Sequence, residues 1–127
     1  MEKKLINELE NLKNKFTLAK HINNTYRLNT PFFHRINGEI YDIFVEIENK
    51  VVITDLGATI ERLLNLSNNS NKTYTLHKIS TIVEKYGCIL NGDNIEIIVE
   101  DINYFSMYLN MYMHAVICVD NILEIED

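Results

Sequence analysis

The residues best placed to do chemistry are Asp55-Leu56-Gly57-Ala58-Thr59, which follow the apolar run Val51-Val52-Ile53-Thr54. A carboxylate where a strand gives way to a helix has two uses. As a cap it accepts hydrogen bonds from the first free N–H groups of the helix, whose dipole also favours negative charge there. As a general base or metal ligand it needs a partner within reach, and the neighbouring sequence supplies none. Capping accounts for the whole motif, because Gly57 permits a positive φ and Thr59 can bond locally. Asp55 is the one catalytic candidate that the spacing offers.

Other chemistries lack their residues. Neither GxGxxG nor a Walker A pattern occurs, and four glycines are too few to build either. His21, His34, His77 and His114 stand far apart and pair with no cysteine at zinc spacing, so no metal and no cofactor are expected. His114 and Cys118 are four residues apart in an apolar segment, close enough to meet on a helix. A nucleophilic thiol wants an exposed, electropositive setting. This segment offers the reverse, and His114 reads as a hydrogen-bonded interior histidine. Cys88 and Cys118 show no CxxC spacing and are expected to be reduced and buried.

Charge is distributed unevenly. Residues 1–92 carry twelve basic and ten acidic side chains, whereas residues 93–127 carry eight acidic ones and no Lys or Arg, which accounts for the net charge of −6. Such a field repels nucleic-acid phosphates and attracts a basic protein surface. The bland alternative is a solvated acidic face with a short acidic tail. Met1 to Ile6 holds two lysines with no apolar stretch behind them, and no run approaches the roughly 18 apolar residues of a membrane span. A cytoplasmic protein with neither membrane nor direct nucleic-acid contacts is expected.

The elements that must position these residues follow from periodicity. Leu5, Leu9, Leu12 and Phe16 mark one face of a helix over residues 2–20. Tyr26 to Thr30 alternates and should end at Pro31 or lie at an edge. Phe32-Phe33-His34-Arg35 reads as a loop before the Asn37-Gly38 turn. Residues 39–48 and 51–54 form a hairpin joined by Asn49-Lys50, and the imperfect alternation around Ile43-Phe44-Val45 points to partial burial of both faces or to a bulge. A helix follows Asp55, and a second spans residues 75–86, capped by Thr73 or Thr75 and ended by Gly87. Residues 88–90 and 95–99 form a second hairpin about Asn91-Gly92. The last helix runs from Ile102 to about Ile122, with Phe105, Leu109, Tyr112, Val116 and Val119 in one row. The order α-β-β-β-α-α-β-β-α gives a single α+β domain over residues 1–127: a small antiparallel sheet of two hairpins packed with about four helices.

Two surfaces stand out. In the Phe32–Arg35 segment, Phe33 beside Arg35 has the make-up of an interface. Tyr104, Tyr108 and Tyr112 recur every four residues on the last helix, either rimming the core with wet hydroxyls or forming a partner-binding ridge. That helix is apolar on much of its circumference, which suits either the core or a homodimer contact.

Thr30-Pro31-Phe32, then Gly38-Glu39-Ile40-Tyr41-Asp42-Ile43-Phe44-Val45, then Val52-Ile53-Thr54-Asp55-Leu56-Gly57-Ala58-Thr59 resembles a bacterial and phage family of unknown function with a TPF … TDxGxT signature. The resemblance covers residues 25–66 and departs at Phe33-His34-Arg35, where a polar residue and Asp are common. It implies a small α+β domain of prokaryotes, prophages and other mobile elements, with no assigned reaction. The expected function is a small, acidic, non-enzymatic binding protein: an inhibitor of a host defence system, such as an anti-CRISPR, that docks on a basic nucleic-acid-binding surface. Phe33, Arg35, Glu96, Glu100, Asp101, Tyr104, Tyr108, Asp120 and Glu124 are the expected contacts. The alternatives are an enzyme, or a subunit of a defence or toxin–antitoxin system, using Asp55, and a structural homo-oligomer built on the last helix.

Overall fold

Alternation along the strands gives the sheet one face that must be buried, and the helices supply its cover. The computed structural model describes residues 2–11, 17–22, 24–33, 40–66 and 72–121. In chain order these form α1 (Glu2–Asn11), β1 (Thr17–Ile22), β2 (Thr25–Phe33), β3 (Ile40–Ile47), β4 (Val51–Thr54), α2 (Ala58–Leu66), α3 (Lys72–Glu84), β5 (Ile89–Asn91), β6 (Asn94–Val99), a 3-10 turn (Ile102–Tyr104) and α4 (Phe105–Asp120). The fold is α+β, with one antiparallel sheet of six strands in the order β1-β2-β3-β4-β6-β5.

Register fixes which side chains share a face. Leu28 lies opposite Ile43, Tyr26 opposite Val45, Val45 opposite Ile53, and Ile53 opposite Ile97. All are buried, and they join Leu5, Ile60, Leu63, Ile79, Val83, Phe105, Leu109 and Val116 from the four helices in one core. The other face carries Arg27, Phe44, Thr54 and Glu96 in one lateral row, with Glu46, Val52 and Ile98 in the next. The partial burial of both faces of β3 is thus real, with Ile43 and Val45 inward and the half-buried Phe44 outward.

Several boundaries differ from the expectation. The first helix stops at Asn11, and residues 17–22 form β1, paired with β2 through Ile22↔Thr25 and Leu18↔Leu28. The helical spacing continues beyond Asn11, but strand pairing, a non-local interaction, overrides local periodicity. Strand β2 runs through Pro31 to Phe33. Proline is tolerated there because pairing with β1 ends at Asn29 and the register with β3 shifts between Asn29 and Phe33. The second hairpin turns on Gly92-Asp93, one residue later than expected, since Asn91 pairs with Asn94. Gly92 supplies the positive φ, 63°, at the first central position. The first hairpin turns over Glu48, Asn49 and Lys50. Helix α3 begins at Lys72, so Thr73 and Thr75 lie inside it rather than capping it. Gly87, with φ 78°, closes the turn that follows that helix.

Both cysteines are free. Cys88 is fully buried, and burial pushes its thiol up to about 12, whereas Cys118 is half-exposed beside the Tyr86 hydroxyl, 3.3 Å away. Thiolate is the reactive form, so on native protein at neutral to mildly alkaline pH a thiol-titrating reagent is expected to count one cysteine, with Cys88 at least roughly a hundredfold slower until the chain unfolds. The folded-state value lies above the unfolded one. The contribution of Cys88 is therefore complete below the unfolded thiol range and is lost as pH rises towards about 12. Replacing Cys88 with valine is expected to flatten that alkaline decline; an unchanged decline would assign it to other groups.

Candidate functional site

Asp55 sits at the end of β4, 3% exposed. Its Oδ1 accepts the Gly57 N–H at 3.0 Å and its Oδ2 accepts the Thr59 N–H at 2.9 Å, so both oxygens serve the start of α2. The Asp55 carbonyl accepts the Ala58 N–H at 3.3 Å, and the Thr54 hydroxyl accepts the Leu56 N–H at 3.1 Å. Leu56 (φ 56°) and Gly57 (φ 83°) both adopt positive φ, as in mirror-image turns. For leucine that conformation costs about 1–2 kcal/mol, which the flanking hydrogen bonds offset. Gly57 supplies the positive φ, and a Cβ there would also fit tightly, 3.0 Å from Asn94 Oδ1 in the strand leading away from the second hairpin turn. The hydroxyl of Thr59 is buried without a hydrogen-bond partner among the described residues, so this residue serves through its backbone N–H rather than a local side-chain bond. The motif is a strand–turn–helix joint, and Asp55 presents no surface to a substrate.

The joint is tied to α4 by Tyr112. That side chain is fully buried and its hydroxyl donates to the Ile95 carbonyl at 2.7 Å. Burial, then the nearby Asp55 carboxylate, hold the phenol well above its ordinary value. Tyr112 therefore belongs to the core, while Tyr108 is half-exposed and Tyr104 exposed, so the three tyrosines do not form one ridge. His114 is exposed, not interior. It stacks on Tyr86, with ring centroids 6.0 Å apart and 25° between planes. Only a helix register set by Phe105, Leu109 and Tyr112 pointing inward shows which way His114 faces.

Among the described residues, the acidic side chains of the last third do not form one surface. Asp120, at the end of α4, is buried, and its Oδ1 accepts from Arg62 Nη2 at 2.8 Å and Nε at 3.2 Å. It is withdrawn from any docking face. Asp101 accepts the Asn103 N–H at 3.0 Å and caps the 3-10 turn, with Glu100 exposed beside it. Arg35 and Glu124 lie outside the described residues, and Phe33 is described only as the strand partner of Ile40.

Glu96 has acidic company that the linear charge count did not show. It projects from the outer sheet face into a groove of about 260 Å³ lined by Glu46, Glu48, Asn49, Lys50, Val52 and Asn91. Among the described residues, three carboxylates and one ammonium line this groove. The cross-strand pairs Glu46↔Val52 and Val52↔Ile98 place apolar groups between the acids, and Phe44 adjoins them. Glu100 and Asp101 follow Val99, the partner of Val51, so they lie at the Glu48–Lys50 end of the sheet and line a second hollow with Lys4. Sequence reasoning missed Glu46 and Glu48 because they belong to the charge-balanced part of the chain. The signal was present in the alternation of Phe44 and Glu46 on β3, continued by Glu48 at the start of the turn. Among the described residues no group of His, Cys, Asp or Glu is arranged to hold a metal ion.

No family model, no curated protein and no solved structure matches the chain.

Proposed function

We propose that this chain is a binding protein that docks through its outer sheet face on a basic protein surface of the kind that holds nucleic-acid phosphates, and so acts as an inhibitor of a host defence system. The observation that carries this reading is the groove itself: Glu46, Glu48 and Glu96 around Val52, on the sheet face away from the helices. An apolar floor with a polar, charged rim is the anatomy of a protein interface. The excess of carboxylates gives steering and selectivity for cations. Asp55, the one catalytic candidate, is occupied as a cap. No helix among the described residues is long and apolar enough to cross a membrane.

The test is capture of partners on the immobilised chain, followed by competition. A partner released by duplex DNA or RNA, and progressively by added salt, is expected. Glu46→Lys with Glu96→Lys should weaken it by about tenfold or more, because like charge is then presented to the basic surface. Binding that ignores both charge reversal and salt would overturn the reading.

A further inference from the structure

We infer that the chain forms a two-fold symmetric dimer through the solvent face of α4, in which two α4 helices cross antiparallel. The observation is independent of the acidic groove. From Ile102 to Val119 the chain contains no Asp, Glu, Lys or Arg. The core row of α4 accounts for the inward side. It does not account for the outward one, where Tyr104 is 59% exposed, Met107 48% exposed, His114 exposed and Met111 half-exposed. Among the described residues, Tyr86 widens the stripe by stacking on His114, and Met111 lies against Gly87, whose added Cβ would meet its Cε at 2.9 Å.

Charge decides the occupant. The chain carries a net −6, so two copies repel one another wherever carboxylates face each other. The α4 stripe is the surface on which they can meet with least repulsion. A strongly basic partner would instead have to desolvate its cations against a surface offering no carboxylate. Met and Tyr are enriched, and charges depleted, at the centres of protein interfaces.

The spacing is also self-complementary. Tyr104, Met107, Met111 and His114 follow one another at steps of three, four and three. Reversing the helix direction about the midpoint between Met107 and Met111 superposes this pattern on itself. Tyr104 of one copy then faces His114 of the other, and Met107 faces Met111. An isologous contact needs this property, since each residue must serve both sides of the axis. The stripe spans about 15 Å of helix, a small contact, so the dimer is expected to be weak.

Sedimentation velocity on the wild-type chain, from about 5 to about 200 micromolar, is expected to show monomer converting to dimer. Met107→Glu should weaken the dimer by about a hundredfold, because it buries an unpaired charge at the centre of the contact. The double variant Met107→Glu/Met111→Lys should recover most of that loss, since the antiparallel register sets each introduced acid against an introduced base. Circular dichroism confirms that each variant is folded, and Glu61→Gln, exposed on α2 and away from the stripe, serves as a folded control. A wild-type chain that stays monomeric throughout, a dimer indifferent to Met107→Glu, or a double variant no better than the single one would each overturn the inference.

Discussion

Replacing Arg62 with alanine is expected to destabilise the protein by about 3–5 kcal/mol, the usual result of removing one partner from a buried ion pair. The Arg62 and Asp120 side chains are 13% and 2% exposed, so solvent screens the pair little. Two nitrogens of Arg62 converge on one oxygen of Asp120 across 58 residues of sequence, fastening α2 to the end of α4. Asp120 is also the last residue of its helix, where the dipole is unfavourable to an anion. The guanidinium therefore offsets both a desolvation penalty and a misplaced charge. Against a typical total stability of about 5–15 kcal/mol, the loss corresponds to a fall in Tm on the order of 10–20 °C. The double variant Arg62→Met/Asp120→Leu should recover most of it, because an apolar pair leaves no charge to solvate. Urea denaturation of the two single variants and the double variant gives the coupling energy. A variant Arg62→Ala within 1 kcal/mol of wild type would show that water reaches Asp120 and screens the pair.

That pair shows what the linear sequence hides. Asp120 and Glu96 look alike as members of an acidic third, yet one is interior and the other lines a groove. The difference arises from α4 register and from the β4–β6 pairing, both long-range contacts that no local pattern encodes. Local features were legible wherever one residue type had one physical use. Gly87 ended the turn after α3; Phe105, Leu109, Tyr112, Val116 and Val119 chose the inward face of α4; and Asp55 capped α2. Strand β1 was hidden because Leu12 and Phe16 continue the helical spacing of Leu5 and Leu9 into it. The run Thr17 to Ile22 carries no clean alternation to compete with that spacing, since the pairing register shifts between Leu18 and Lys20. The outer sheet face emerges only when β3, β4 and β6 are laid side by side. Then Glu46, Val52 and Ile98 become neighbours although they are far apart in the chain.

Asp55→Ala is expected to cost about 2–4 kcal/mol, and the size follows from what the carboxylate touches. Its removal leaves the buried Gly57 and Thr59 N–H groups without acceptors, each worth about 1–3 kcal/mol when unmet, and an exposed helix cap alone is worth about 0.5–2 kcal/mol. The loss is shared with α4, since the Asp55 carboxylate is near enough to the buried Tyr112 phenol to help hold it above its ordinary value. Asp55→Asn separates capping from chemistry. The amide keeps one oxygen acceptor and turns the other towards a donor, so it should lose about half as much stability as alanine. A catalytic Asp55 would behave oppositely: the isosteric amide would leave stability near wild type and abolish function. With a cap, unfolding midpoints should order as wild type, Asn, Ala. Partner affinity measured on folded protein should stay within about twofold of wild type, since the groove across the sheet does not touch the joint. Function lost in Asp55→Asn without a matching loss of stability would return the motif to chemistry.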